Sequence, residues 1–393
     1  MSEMGTGRIL IVAGEASGDL HAASVVQELL RRAPHLTLEG IGGDRMREAG
    51  VRLHAYAGEL AVVGVTEVVS KLPALWRAYR SMIRLLRDIR PDLLILVDFP
   101  DFNLLLARKA SRQQIPVLYY ISPQVWAWRS GRVRSIARHV RRLLVIFPFE
   151  QSFYRRSGVE ALYVGHPLLD RLSPPPSMDG ARRRLGLDAA GSVLGLLPGS
   201  RIGEITRHLP LLLRASRRLE GSRPDLRVIV AAAEGIPLDL ISSYLKQEGS
   251  SARVVQGRTH EVIAASDLIL VASGTATLEA AIIGTPMVIV YRLAFISWLL
   301  GRLLIRVPYV GMANLVAEEA IVPELIQFQA TPERIADEAS RLLESPERRR
   351  RMQQRLREVR DRLGPPGAAG RAVDAILEVL QVNAMAAEPV GKG

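Results

Sequence analysis

The stretch LILVASGTATLEAAIIGTPMVIVYR, residues 268–292, contains one whole unit of architecture. Leu268 to Ala272 run apolar without alternation, the pattern of a strand covered on both faces. Ser273, Gly274 and Thr275 interrupt the run, ATLEAAIIG continues with helical spacing, and Pro286 opens a second apolar strand. Strand, helix and strand in this order make a parallel crossover. A phosphate at the helix start would meet unpaired N–H groups and the positive end of the helix dipole, worth roughly 0.3–2 kcal/mol. Glu279 lies about one turn in, where a carboxylate can accept hydrogen bonds from ribose hydroxyls; an ordinary acid near a helix start is the plainer reading.

The same grammar runs through the chain. RILIVAGE, LTLEGIGG, DLLILVDF, PVLYYIS, RLLVIFP and ALYVGHP read as strands in the first half, and SVLGLLPG, LRVIVAAA, ARVVQG, LILVAS and PMVIVYR in the second, with helical segments between. Between the two sets lies DRLSPPPSMDGARRRLGLDAAGS, rich in Pro, Gly and Ser. The expected fold is α/β: two doubly wound, Rossmann-like domains in tandem, at residues 1–168 and 191–364, joined by a linker at 169–190. Residues 365–393 carry a final amphipathic helix, RAVDAILEVLQ, which the pattern leaves free to pack back across the domain junction. In such folds ligands bind beyond the carboxyl ends of the strands, and two facing domains make a crevice. In DLLILVDFPDFN, residues 92–103, Asp98 ends its strand and is expected to line that crevice. Asp101 precedes a helical segment and reads as its N-cap.

At 393 residues the chain suits two domains, and 48% hydrophobic with 23% charged residues describes a globular protein. A formal charge of +12 predicts attraction to polyanions, whether phosphorylated ligands, anionic lipid or nucleic acid. The absence of cysteine excludes disulfides, thiolate metal sites and cysteine nucleophiles. MSEMGTGRILIVAGEASGD lacks the form of a signal peptide, and no apolar run approaches the ~18 residues of a membrane span. Nucleic acid is not expected as a partner: the arginine-rich ERRRRMQQRLREVRDR is interleaved with acids, and no nucleic-acid motif appears.

Two more strand-to-helix junctions carry chemistry. GEASGDLHAASVVQELL offers Glu15, Ser17, Gly18 and Asp19 as a substrate loop, although it matches no dinucleotide or Walker pattern and Ser17 or Asp19 could equally cap the helix. LPGSRIGEITRHLPLLL places Arg201 after Pro198-Gly199-Ser200, and a guanidinium beside exposed N–H groups suits a pyrophosphate.

Taken in order, GEASGDLH, LVDFPDFN, ISPQVWAWR, VGHPLLD, LPGSRIGEI, SGTATLEAAIIGTPMVIVYR and VPELIQ resemble the lipid-A-disaccharide synthases, bacterial inverting glycosyltransferases of family 19 with the GT-B fold. The resemblance spans nearly the whole chain. It implies transfer of the sugar of UDP-2,3-diacylglucosamine to 2,3-diacylglucosamine 1-phosphate (lipid X), giving a β-1,6-linked disaccharide 1-phosphate and UDP. It implies no cofactor and no metal, and work at the cytoplasmic face of the inner membrane as a peripheral protein; no Asp-x-Asp pair stands ready to bridge a cation to the diphosphate. Asp98 becomes the base that takes the acceptor hydroxyl proton, with His21 and His166 as rivals. Arg201, Gly274, Thr275, Glu279 and Asn314 become the nucleotide-sugar site. One departure is Ala313 before Asn314, where the family usually has proline. Another UDP-sugar enzyme, such as an epimerase or a different GT-B transferase, is the alternative, and a non-enzymatic nucleotide-binding protein that docks on membranes is a second. A homodimer is left open.

Membrane contact has two candidate segments. LPALWRAYRSMIRLLRDIR, residues 72–90, puts Leu72, Leu75, Trp76, Tyr79, Met82, Ile83 and Leu86 on one helical stripe beside Arg77, Arg80, Arg84 and Arg87. Such a helix can lie in an anionic bilayer interface, with Trp76, Tyr79 and Arg80 as contacts, or simply cover a sheet. LAFISWLLGRLLIRVPY, with Trp298, Arg302 and Arg306, is the second.

Overall fold

The computed structural model describes residues 7–60, 65–123, 131–188, 191–293, 298 and 308–387. Residues 1–6, the WAWR part of ISPQVWAWR, and Arg302 and Arg306 of the second membrane candidate lie outside the described residues. The chain divides into two units, Met1–Asp170 with Pro365–Gly393, and Arg171–Gly364.

The first unit is built on a sheet of β1 (Arg8–Ala13), β2 (Thr37–Gly42), β3 (Arg52–Tyr56), β4 (Leu93–Val97), β5 (Val117–Tyr120), β6 (Arg142–Val145) and β7 (Ala161–Tyr163), in the order β3-β2-β1-β4-β5-β6-β7. The second has β8 (Val193–Leu197), β9 (Arg227–Ala232), β10 (Arg253–Gln256), β11 (Leu268–Ala272), β12 (Met287–Tyr291) and β13 (Glu324–Ile326), in the order β10-β9-β8-β11-β12-β13. The paired strands run parallel throughout. Every residue of the central strands β4 and β11 is buried, as their unbroken apolar sequences require. The order of winding reverses between β1 and β4 and again between β8 and β11, and such switch points open crevices at the strand ends.

The edge strands β3 and β13 are the two that the sequence pattern did not disclose. Both are half-covered, and RLHAY and ELI have too few apolar residues in a row to announce themselves. The stretch expected as a linker, 169–190, is largely folded. Pro167–Arg171 and Met178–Leu185 are helical, and buried Arg182 of the second helix donates to the Ala265 carbonyl (3.0 Å) and the Asp267 carboxylate (2.7 Å), fixing it to the second unit.

The last helix, Ala368–Ala387, belongs to the first unit. Asp170 accepts from the N–H groups of Gly367, Ala368 and Ala369 at its start. Arg371 donates to the Val164 carbonyl at 2.8 Å, and Asp374 and Glu378 pair with Arg32 and Arg142.

Candidate active site

In the first unit Ala13 and Val97 are register partners, so the chain leaves β1 and β4 side by side. Asp98 and Phe99 then both adopt left-handed backbone, with φ of 47° and 50°. Two consecutive non-glycine residues in this region cost on the order of 1–3 kcal/mol each, so the surroundings have to impose the turn. They do so through the Asp98 carbonyl, which accepts from the Tyr119 hydroxyl at 2.6 Å and from the Asn103 side-chain amide at 2.7 Å. Asn103 also donates to the Val97 carbonyl at 3.2 Å, and the Asp98 N–H is held by the Tyr120 carbonyl. Tyr119 and Asn103 are fully buried. Burial and the charge of Asp98 raise the Tyr119 pKa well above its usual value, so its hydroxyl remains a donor. Gly14 lies against the Phe99 ring, where a Cβ would come within 2.1 Å of it, and this close approach joins the β1 and β4 loops.

The Asp98 carboxyl is half-buried at this elbow. Desolvation, then the neighbouring Glu15 charge, push its pKa up to about 6 against a weaker opposing hydrogen bond from the Phe99 N–H. A carboxylate of that basicity is suited to general-base work near neutral pH. Of the two rival histidines, His166 is ill suited to the role. His166 is buried with Nδ1 accepting from the Leu168 N–H (3.2 Å), and burial, with a smaller push from His21, lowers its pKa to about 3.

Several expected roles change here. Glu15, not Ser17 or Asp19, stands at the N-cap of the helix Ala16–Arg32, and it makes no side-chain cap. Ser17 is exposed, and Gly18 is buried against Ala13 and the Val97 carbonyl. Buried Asp19 reaches across to another helix, Asp44–Glu48, accepting from the N–H groups of Gly43 (2.6 Å), Met46 (3.1 Å) and Arg45 (3.3 Å). It caps that helix rather than its own, because its carboxylate fills the space over Gly43. A cavity of about 480 Å³ lies alongside, lined by Ala16, Asp19, Gly43, Arg45 and Gly58 among others. Asp101 is likewise not an N-cap. Phe99 holds that position on the helix Pro100–Arg112, and Asp101 sits in the first turn paired with Arg132.

In the second unit Leu197 and Val271 are register partners, so the Pro198–Arg201 and Ser273–Thr275 loops also emerge together. The first leads into the helix Ile202–Ser222 and the second into Thr275–Ile283. Gly199 has φ 121°, and a Cβ there would lie 2.4 Å from a Glu204 carboxylate oxygen, so glycine is needed. Glu204 accepts from the Ser200 N–H (3.0 Å) and the Arg201 guanidinium (3.3 Å), leaving the Arg201 side chain largely exposed. Gly274 and Thr275 are exposed, with nothing within 4 Å of where a Gly274 Cβ would stand. Buried Thr277 donates to the Gly274 carbonyl (2.8 Å) and accepts from the Met312 N–H (3.2 Å), which steadies the loop. Glu279 is half-buried with His260 3.2 Å away, a partner that sequence spacing gave no reason to expect.

Asn314 stands apart from these exposed groups. It is fully buried, donating to the Val322 carbonyl and the Glu324 carboxylate and accepting from the Ile321 and Val322 N–H groups. All four hydrogen-bonding positions of its amide are taken. Asn314 thereby frames the 308–324 region.

The first membrane candidate lies in the helix Val65–Asp88 and is divided along its length. Met82 and Leu86 are fully buried in the core, and Tyr79 packs edge-on against Phe102. Only Leu72 and Trp76 stay exposed, at 52% and 54%, with Arg80 stacked over the Trp76 ring at 5.1 Å. The stripe is thus core at one end and surface at the other. Trp298 packs edge-to-face with exposed Phe328, at 5.2 Å between ring centres. Among the described residues no helix is long and apolar enough to cross a membrane.

Comparison with known proteins agrees with the architecture of two parallel sheets. Solved structures of similar fold include a UDP-GlcNAc 2-epimerase from Neisseria meningitidis bound to UDP-GlcNAc (TM-score 0.58, 12% identity, 95% of this chain and 100% of that one). The calicheamicin glycosyltransferase CalG4 is another (TM-score 0.60, 18% identity, 96% and 99%), and both support a GT-B fold. Lipid-A-disaccharide synthase of Myxococcus xanthus is 47% identical over 373 residues, covering 95% of this chain and 97% of the relative. That of Geobacter sulfurreducens is 46% identical over 380 residues, covering 97% and 99%. The family model for lipid-A-disaccharide synthetase matches residues 9–369, and the chain belongs to that family.

Proposed function

We propose that the chain condenses UDP-2,3-diacylglucosamine with 2,3-diacylglucosamine 1-phosphate, forming the β-1,6-linked lipid A disaccharide 1-phosphate and UDP. The observation that carries the mechanism is Asp98, a carboxyl raised to about 6 on an elbow imposed by Tyr119 and Asn103. As the acceptor 6-hydroxyl attacks the donor anomeric carbon, its proton passes to the Asp98 carboxylate. The bond from that carbon to the diphosphate oxygen breaks with inversion, and UDP leaves carrying the electron pair. Charge growing on UDP is stabilised by Arg201 and by the helix starts at Gly274 and Thr275. Glu279, oriented by His260, takes the ribose hydroxyls.

Diacylated substrates reside in a bilayer, so the enzyme works as a peripheral protein on the cytoplasmic face of the inner membrane. Exposed Leu72 and Trp76, with Arg80 over the ring, supply an interfacial anchor of the right chemistry. The test is a radiolabelled assay with both acylated substrates and a chelator present. Formation of the disaccharide 1-phosphate and UDP in equal amounts is expected. Epimerised UDP-sugar, or no turnover of either substrate, would overturn the reading.

A further inference from the structure

One buried titratable group of the second unit has no part in the chemistry above. His208, in the helix Ile202–Ser222, is 1% exposed and has both ring nitrogens engaged. The Arg292 N–H donates to Nε2 at 3.0 Å, so that nitrogen carries no hydrogen. The ring hydrogen is therefore on Nδ1, which lies 3.2 Å from the Pro198 carbonyl and donates to it. Tyr291 stacks on the ring at 5.3 Å and 25°. Burial lowers the His208 pKa, which favours this neutral tautomer; Glu204 and Arg207 are the nearby charges and act in opposite directions.

The Pro198 carbonyl belongs to the same planar peptide as the Gly199 N–H, and in a trans peptide the two point in opposite directions. Drawing the carbonyl inward to His208 turns the Gly199 N–H away from the core. Among the described residues that N–H has no acceptor. The positive φ of Gly199 then carries the chain on to Ser200 and Arg201.

We infer that His208 is a positioning residue for the diphosphate loop: its Nδ1–H fixes the Pro198–Gly199 peptide so that the Gly199 N–H is presented as a donor to the anion. This rests on reading residues 198–201 as the diphosphate site. A histidine that merely filled the core would serve as well with any side chain of similar shape, so the two roles separate on which nitrogen is preserved. Asparagine carries its amide at the place of Nδ1, and glutamine reaches the place of Nε2.

UDP binding to His208→Asn, His208→Gln and His208→Ala by titration calorimetry tests the inference. Losing the Pro198 bond should raise the Kd about tenfold in the glutamine and alanine variants, whereas asparagine should stay within about threefold of wild type. Equal weakening in all three, or none in any, overturns it, and if the alanine variant does not fold the other two decide. Arg201→Ala is run alongside. Wild type that ignores UDP, or binding indifferent to Arg201, would instead overturn the reading of the site. Binding that needs Arg201 but is blind to His208 overturns this inference alone.

Discussion

Replacing Asp98 with asparagine should stabilise the first unit while disabling it. The rise of the carboxyl from an ordinary 3.8 to about 6 corresponds to about 3 kcal/mol at 1.36 kcal/mol per pH unit. Solvent reaches the half-buried group, which trims the expected effect to about 1–3 kcal/mol. The sign follows from proton counts. Between pH ~4 and ~6 the folded protein holds a proton that the unfolded chain has released, so stability falls as pH rises through that window. Above it the ionised carboxylate is a standing cost. Asparagine is isosteric, carries no charge and tolerates left-handed backbone, so the elbow at φ 47° should survive. Trp76 lies in the first unit, so fluorescence-monitored urea unfolding reports on it. The variant should unfold at higher urea than wild type at pH 8, and the advantage should vanish near pH 3.5. An equal or lower midpoint at pH 8, or a difference independent of pH, would refute the claim that the fold raises this carboxyl.

Three further outcomes are expected. Tyr119→Phe removes one of the two side-chain donors to the Asp98 carbonyl and should lower kcat about tenfold with UDP affinity unchanged; unaltered kcat would show that the elbow needs no such support. Arg201→Ala should raise the UDP Kd by about 10- to 100-fold, as expected for a lost charge-assisted contact, in titration calorimetry. Trp76→Glu should abolish flotation of the protein with anionic vesicles, and if it and Trp298→Glu both leave flotation intact, neither segment is the anchor.

The architecture was legible wherever strands were buried on both faces. Runs such as LLILV and LILVA leave little freedom of interpretation, and the breaks after them, DFP and SGT, marked the loops at the switch points. The edge strands β3 and β13 escaped because a half-covered strand needs no apolar run. At the site, the sequence disclosed which loops would gather but not which atoms would be free. Asp19 and Asn314 are of polar types that suit a ligand, yet each spends its hydrogen bonds on distant backbone, Asp19 on residues 43–46 and Asn314 on residues 321–322. His260, His208, Tyr119 and Asn103 act through contacts made only in three dimensions, and no local spacing signals them. The basic stripe after Leu72 shows the same limit, because helical periodicity is alike for a face turned to the core and one turned to lipid.

Turnover by Asp98→Asn tests the central claim most directly. Product formation from both acylated substrates should fall by about 10²- to 10⁴-fold, the usual contribution of a positioned base, while UDP binds as in wild type. Near wild-type product formation by a folded, UDP-binding variant would contradict the assignment of Asp98 as the base.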